Sequence, residues 1–433
     1  MNDMSRRVLP PPATGPEEPT RPRSGRTGSF GALDIGTTKI ACLIGRTESD
    51  GTLRVLGFGW QKGRGVRGGS IVDLDEAEKA IRSCVGQAED MADTRLRSVT
   101  VNLTCGQPES RLFNVQWPVG GRAVEEHDIR RVVNEGRSRA AAEGREPIHA
   151  LPLTFAVDET DRVADPRGLF CEELTARLHI IDAASTALRS LAACIARCDL
   201  DIGELVSAPM AAGLSTLVTD ERELGATIID MGGGTTGMAV FAEGQLLHTA
   251  QLPIGGVHVT NDLARLLSTP VAHAERLKTL YGNVQNCPDD EREMLPVPLV
   301  GEEEHQIAKV PRSMVVNIIR PRIEETFELV KERLDSSGLT RAAGTRVVLT
   351  GGACQLAGVR ETAGRILNKQ VRLGRPIALR GLPDSASGPA FATAAGLLAW
   401  ASGEGRTMQD VDLEVERPSG FIRRIVNFLK ERV

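Results

Sequence analysis

The stretch "ATIIDMGGGTTGMAVF" (residues 226–241) predicts a buried strand, a glycine-rich turn and a second buried strand. The same order occurs in "FGALDIGTTKIACLIG" (residues 30–45), where an aspartate again follows apolar residues and a Thr-Thr pair again lies within the turn. One strand-turn-strand unit that is used twice indicates two related halves that face each other. The pattern therefore favours an α/β protein with two similar domains.

The chemistry of these turns suits a nucleotide. A glycine turn lets backbone N–H groups approach phosphate oxygens, and threonine hydroxyls add further donors. An aspartate at the end of the preceding strand can hold Mg²⁺, usually through water. A third turn, "TGGA" (residues 350–353), offers bare backbone on which a nucleoside can lie. Each turn alone could be a surface hairpin, but the three in this order predict a site for a nucleoside triphosphate and Mg²⁺.

The composition excludes several classes of protein. A chain of 433 residues predicts two to four domains. The net charge of −5 does not favour nucleic acid as a partner. The eight cysteines form no C-x-x-C pair, so they predict free thiols rather than a zinc site. No apolar run is long enough for a signal peptide or a membrane span, which predicts a protein of the cytoplasm.

Three segments differ in composition from the rest. Residues 1–29 are rich in proline and arginine and predict a disordered leader. Residues 109–182 predict a small inserted module of short strands around one charged helix near 125–143. The polar, acidic residues 402–417 predict a linker.

The chain ends on "GFIRRIVNFLKERV" (residues 420–433), which predicts an amphipathic helix. On a helical wheel the apolar residues share an arc of about 160°, and the basic residues other than Arg432 lie outside it. The helix is too short and too charged to span a bilayer, so we expect it to lie in the interface of an anionic membrane. The alternative is a helix that docks on the protein's own core. The residues expected to bind the membrane are Phe421, Ile422, Arg423, Arg424, Ile425, Val426, Phe428, Leu429 and Lys430.

The three glycine turns resemble the two phosphate loops and the adenosine loop of the actin-like ATPase superfamily, in which two α/β domains close on ATP and Mg²⁺. Within it the chain is similar to the FtsA family of bacterial cell-division proteins. The similarity covers residues 30–433 and rests on the terminal amphipathic segment and on "ALDIGTTKI", "KGRGVRGGSIVDLDEAEKAI", "DPRGLFCEELTARLHII", "DERELGATIIDMGGGTTGMAVF" and "VVLTGGACQLAGV".

The resemblance implies an actin-like two-domain fold, with two related α/β domains around a nucleotide cleft, an inserted small α+β subdomain and a C-terminal amphipathic helix. The implied boundaries are 30–108 with 183–222 and 383–401 for subdomain 1A, 109–182 for the inserted subdomain 1C, 223–260 with 343–382 for 2A, 261–342 for 2B, 402–417 for the linker and 418–433 for the membrane-targeting helix.

The resemblance also implies the nucleotide-binding residues. The first phosphate loop would comprise Asp34, Gly36, Thr37, Thr38 and Lys39. The second would comprise Asp230, Gly232, Gly233, Gly234, Thr235 and Thr236. The adenosine loop would comprise Gly351, Gly352 and Ala353, and the Mg²⁺ ligands would be Asp34 and Asp230, through water. Glu275 and Lys278 would border the ribose and base, although an exposed i,i+3 ion pair explains them equally well.

One position departs from the superfamily. Where other members carry a glutamate near the attacking water, this chain has Ala208 in "SAPMAA". A methyl group can neither orient water nor accept a proton. We therefore expect a protein that binds ATP and hydrolyses it slowly or not at all.

The implied function is that of a peripheral protein on the cytoplasmic face of the inner membrane at the division site. Such a protein self-associates in an actin-like manner, tethers the ring of the tubulin-like protein FtsZ, helps assemble that ring and recruits later division proteins. The tail of FtsZ would bind to residues 261–342. The alternatives are another actin-like scaffold, of the rod-shape or pilus-assembly type, and a sugar or acetate kinase of the same fold.

Overall fold

The computed structural model describes residues 28–301, 307–377 and 379–403. The predicted leader up to residue 27, the linker from residue 404 and the predicted membrane-binding helix lie outside the described residues. Within the described ranges, none of the helices combines the length and the apolar character needed to cross a bilayer.

The strands of the described residues belong to three main sheets and two small hairpins. In chain order they are β1 (Phe30–Ile35), β2 (Lys39–Thr47), β3 (Leu53–Lys62), β4 (Val66–Arg67), β5 (Ser70–Ile71), β6 (Ser98–Leu103), β7 (Glu109–Ala123), β8 (Arg145–Val157), β9 (Thr160–Val163), β10 (Phe170–Ala184), β11 (Asp201–Ser207), β12 (Ala226–Met231), β13 (Thr236–Ala242), β14 (Gln245–Leu252), β15 (Met294–Pro298), β16 (Ile307–Pro311), β17 (Arg346–Thr350) and β18 (Gln370–Leu373).

The helices alternate with the strands in both halves of the chain. They are α1 (Leu74–Ala92), α2 (Glu126–Ala140), α3 (Ser185–Arg197), α4 (Ala208–Thr216), α5 (Thr219–Leu224), α6 (Gly256–Leu266), α7 (Val271–Tyr281), α8 (Arg312–Ser336), α9 (Val359–Leu367) and α10 (Ala392–Ser402). A short 3₁₀ turn, Pro389–Phe391, leads directly into α10.

Two of the main sheets have the same topology. The first has the order β11-β6-β1-β2-β3 and the second has the order β14-β13-β12-β17-β18. In each, the hairpin that carries a glycine turn is antiparallel, and its first strand pairs in parallel with a later strand, β6 or β17. The prediction of two related α/β halves is therefore confirmed.

The inserted module forms the third sheet, with the order β7-β10-β8-β9. One face packs on α2 through buried apolar side chains such as Ile129, Val132 and Leu178. The prediction of short strands was wrong, because β7, β8 and β10 have 13 to 15 residues each. Glycines 120 and 121 adopt positive φ and a register shift interrupts β10 after Cys171, so the alternation that would mark long strands is broken.

Helices α4 and α10 cross between the two halves at close range. Both are almost wholly buried and rich in small residues. At Gly396 the backbone of α10 lies against the carbonyl oxygen of Ala211, where a Cβ would not fit. This contact sets the start of α10, with its preceding turn, beside the glycine turns of both sheets.

Candidate nucleotide site

The first glycine turn joins β1 to β2. The amide of Gly36 donates to the carbonyl of Lys39 (2.9 Å), and a Cβ at Gly36 would lie 2.7 Å from that oxygen. The side chain of Asn102, on the neighbouring strand β6, accepts from the Ile35 amide (2.8 Å) and donates to the Ile35 carbonyl (3.2 Å). These contacts fix the end of the strand that carries Asp34, whose side chain is buried.

The second turn joins β12 to β13 and repeats this geometry. The Gly232 amide donates to the carbonyl of Thr235 (2.9 Å), and the Thr236 hydroxyl donates to the Ile254 carbonyl (2.8 Å). The start of α6 supports the turn from behind, because the amides of residues 256 and 257 donate to the carbonyls of residues 232 and 233. The turn is therefore rigid and keeps its glycines toward the first sheet.

The two turns touch each other. A Cβ built on Gly233 would lie 2.5 Å from the Thr38 Cγ2 and 2.7 Å from the Thr38 hydroxyl oxygen. A Cβ built on Gly234 would likewise lie 2.3 Å from the Thr37 hydroxyl oxygen. The structure therefore brings the predicted phosphate loops face to face, and only glycines allow this approach.

Three charged groups lie behind the turns. The Lys39 Nζ is 3.8 Å from an Asp34 carboxylate oxygen, and Asp230 lies close enough for its charge to act on both. Burial raises the pKa of Asp34, against the opposing effect of Lys39. Burial also raises the pKa of Asp230 to about 6, and the charge of Asp34 adds to this rise. Two carboxylates with one ammonium leave a local negative charge, which a divalent cation would neutralise. The two side chains thus fit the predicted Mg²⁺ site.

The third turn follows β17 and lies beside the second. Gly351 has φ +84°, and a Cβ there would collide with Asp230 and with the carbonyl oxygen of Met231. By contrast, a Cβ at Gly352 would meet only the Ala390 Cβ, at 3.9 Å. A Cβ built on Gly256 would lie 3.3 Å from the Ala353 Cβ, so Ala353 lies close to the start of α6. The structure thus places bare backbone next to the start of α6, as an adenosine surface requires.

Helix α7 carries the remaining predicted residues. The Lys278 ammonium donates to the Glu275 carboxylate (2.7 Å), to the Thr260 hydroxyl (2.9 Å) and to the Gly256 carbonyl (3.1 Å). The i,i+3 ion pair therefore exists, and it also lies beside the third turn. Both interpretations of Glu275 and Lys278 stay open.

Several site residues escaped the sequence analysis. The Gly63 amide donates to the Thr38 carbonyl (2.9 Å), and a Cβ at Gly63 would lie 2.7 Å from the Gly36 carbonyl oxygen. Asn102 is a second site residue that the sequence analysis did not identify. Thr393 is a third, and its hydroxyl donates to the Asp230 carboxylate. A polar residue at the end of buried strand β6 was the only available signal for Asn102. Ala208 is buried at the start of α4.

Comparisons with known proteins agree with this geometry. The family model described as "Cell division protein FtsA" matches residues 227–396, and the model "SHS2 domain inserted in FTSA" matches residues 105–182. The cell-division protein FtsA of Agrobacterium fabrum is 41% identical over 430 residues, which cover 94% of this chain and 96% of that protein. The chain belongs to the FtsA family. The FtsA of Escherichia coli is 31% identical over 415 residues, with 92% and 97% covered.

Solved structures show that this FtsA-family chain has the actin-like fold. A PilM–PilN type IV pilus biogenesis complex matches with a TM-score of 0.62 at 16% identity, covering 86% of this chain and 98% of that one. MreB5 of Spiroplasma citri, bound to ADP, matches with a TM-score of 0.52 at 12% identity, covering 88% and 98%. The much higher identity to FtsA proteins favours FtsA over the pilus-assembly and rod-shape alternatives. The predicted family and fold class are confirmed, and the chain is a cell-division protein.

Proposed function

We propose that this FtsA protein binds ATP and Mg²⁺ between its two phosphate loops, self-associates, and tethers the FtsZ ring to the cytoplasmic face of the inner membrane. Through that tether it helps assemble the ring and recruits later division proteins. The observation that carries the nucleotide proposal is the direct contact of the two glycine turns around Lys39 and the two buried aspartates.

Each group of the chain has a defined part in binding. The backbone amides of residues 36–38 and 233–235 and the hydroxyls of Thr37 and Thr38 would donate to phosphate oxygens. Bound Mg²⁺ would neutralise phosphate charge, with Asp34 and Asp230 holding its water ligands. The positive charge of Lys39 partly offsets the repulsion between the two carboxylates when no cation is present. Ala208 offers no group that could activate water, so we propose that the chain hydrolyses ATP slowly.

The nucleotide proposal is tested by equilibrium binding of a fluorescent ATP analogue to the full chain. Asp34→Asn and Asp230→Asn should each weaken binding in the presence of Mg²⁺ by about tenfold or more, because each removes a charge that faces the cation. Asp50→Asn is the matched control, since Asp50 is exposed at a loop after β2. Equal affinity of all four proteins would refute the proposed site.

The membrane proposal rests on the amphipathic residues 418–433. Each lysine or arginine near an anionic leaflet contributes about 1 kcal/mol, so one helix should bind reversibly. Several copies on one polymer should bind firmly, because each later contact is intramolecular. The full chain should therefore sediment with vesicles that contain anionic lipid, and a chain that ends at Arg417 should not. Equal sedimentation of the two would contradict the anchor.

The proposed FtsZ surface lies on residues 261–342. This part exposes several large apolar side chains, which are Leu266, Val271, Leu280, Met294, Val300, Ile307 and Met314. We propose that some of them contact the FtsZ tail, as exposed apolar side chains do in peptide recognition. In the vesicle assay, FtsZ should join the pellet only when the full chain is present. Met314→Lys is expected to reduce that recruitment without changing how the FtsA chain itself sediments.

A further inference from the structure

The short segment 389–393, "PAFAT", contacts all three glycine turns of the proposed site. Its first contact is with the adenosine loop. The Pro389 carbonyl accepts from the Gly351 amide (3.1 Å) and from the Thr350 hydroxyl (3.1 Å). This ties the start of the third turn to the chain that leads into α10.

The second contact is with the first phosphate loop. The Lys39 ammonium donates to the Ala390 carbonyl and lies over the Phe391 ring, 3.8 Å from its centroid. The Phe391 ring in turn packs edge-on against Phe58, with centroids 5.5 Å apart. The segment therefore holds the lysine through a carbonyl and a ring face, beside its ion pair with Asp34.

The third contact is with the second phosphate loop. The Thr393 hydroxyl, which is almost fully buried, donates to Oδ2 of Asp230 (2.9 Å). The other oxygen, Oδ1, lies against Gly351, where a side chain would not fit. The carboxylate is thus confined from two sides by residues of different elements.

Without that hydroxyl, Asp230 has a competing partner. The Lys39 ammonium is near enough for its charge and that of Asp230 to act on each other. A carboxylate that is free to rotate would turn toward the ammonium, and an ion pair formed there would compete with a metal-bound water.

We infer that Thr393 is a positioning residue, whose hydroxyl keeps Asp230 directed at the Mg²⁺ of the bound nucleotide and away from Lys39. This inference rests on the proposed function, since it concerns the same site. The inference has a selective consequence. Loss of the Thr393 hydroxyl should change how nucleotide binding depends on Mg²⁺, and it should not change the affinity for nucleotide without metal.

The test measures how ATP binding to the full chain depends on the Mg²⁺ concentration. Thr393→Val keeps the shape of the side chain and removes the hydroxyl. It should raise the Mg²⁺ concentration for half-maximal binding about tenfold, the effect of one hydrogen bond to a charged acceptor. Affinity measured in EDTA should stay within about twofold, and Thr393→Ser should restore the wild-type Mg²⁺ dependence. Thr326→Val removes another buried hydroxyl, in α8, and should leave the dependence unchanged.

A double-mutant cycle separates this inference from a general loss of structure. In an Asp230→Asn background, Thr393→Val should have no further effect on the Mg²⁺ dependence. If Thr393→Val melts below the assay temperature, Thr393→Ala is measured in its place. A wild-type chain that binds ATP with Mg²⁺, together with an unchanged dependence in the Thr393 variant, refutes the positioning role alone. A wild-type chain that binds no ATP refutes the proposed site itself.

Discussion

Histidine 179 joins the inserted module to the second domain and makes that junction sensitive to acid. Its Nδ1–H donates to the Leu246 carbonyl on β14 (3.0 Å), and its Nε2 accepts from the Ser110 hydroxyl (2.6 Å). The Ser110 oxygen in turn accepts from the Thr249 amide (3.2 Å). The Ser110 hydroxyl can donate to Nε2 only while the imidazole is neutral, and the His248 Nδ1 lies 3.2 Å from the same oxygen.

The size of the effect follows from burial. Burial lowers the pKa of His179 from 6.5 to about 3. The contribution of His179 to stability is therefore fully present above pH 6.5 and is lost as the pH falls toward 3, because only the unfolded chain takes up the proton. Between pH 7 and pH 5 the loss is about 2 kcal/mol.

Other groups titrate in the same range. Burial lowers the pKa of His248, whose Nδ1 lies 3.2 Å from the Ser110 oxygen, and this adds a loss of the same sign. Burial lowers the pKa of His149 to about 4, which adds a loss of about 2 kcal/mol of the same sign. Asp230 acts in the opposite direction, because its folded pKa of about 6 is raised and the folded state gains a proton on acidification. Only a comparison between variants isolates the share of His179.

The assay is urea unfolding at pH 7 and pH 5, followed by tryptophan fluorescence. For His179→Gln, we expect the free energy of unfolding to fall by about 2 kcal/mol less between the two pH values than it does for the wild type. Gln245→Ala is the matched control, since it breaks a hydrogen bond at the same junction (to the Leu153 carbonyl, 2.8 Å) without removing a titratable group. If His179→Gln keeps the wild-type pH dependence, the reasoning from burial is wrong.

Two further predictions concern glycines. Gly233→Ala should lower the ATP affinity at least about tenfold, because its Cβ would push Thr38 out of the loop contact. Gly86→Ala, in α1 with no atom within 4 Å of the new Cβ, is its control and should raise stability by up to about 1 kcal/mol. Gly396→Ala should lower the free energy of unfolding by about 1 to 3 kcal/mol, because it forces α10 away from Ala211. Thermal melting checks both stability predictions, and an unchanged midpoint for Gly396→Ala would contradict the close helix crossing.

The two phosphate hairpins could be predicted because their chemistry is local. Glycine, threonine and aspartate lie within six residues of one another in each turn, and the flanking apolar runs mark the strands. The contact between the turns followed from their repetition, which predicted two facing halves. The long strands of the inserted module were missed because their glycines and a register shift disturb the alternation.

The supports of the site could not be predicted, because they join residues that are distant in the chain. Thr393 and Asp230 are separated by 163 positions, and Lys39 and Ala390 by 351. In "GPAFATAAGLLAWA" (residues 388–401) the small residues indicate only a packed helix, and no local pattern distinguishes one threonine of such a helix from another. Likewise, no signal in residues 109–182 indicated that Ser110 and His179 would meet β14.

Helix α10 has a mechanical consequence for the whole protein. Its last turn is fastened by Trp400, whose indole N–H donates to Glu204 (2.6 Å), and the chain leaves it at Gly403. A pull on the residues that follow Gly403 is therefore borne first by this helix. The eleven residues of α10 span about 16 Å, and Thr393 lies in the first turn, at the opposite end from Gly403. The residue that holds Asp230 and the point where the chain leaves toward its C-terminus thus lie at opposite ends of one buried helix.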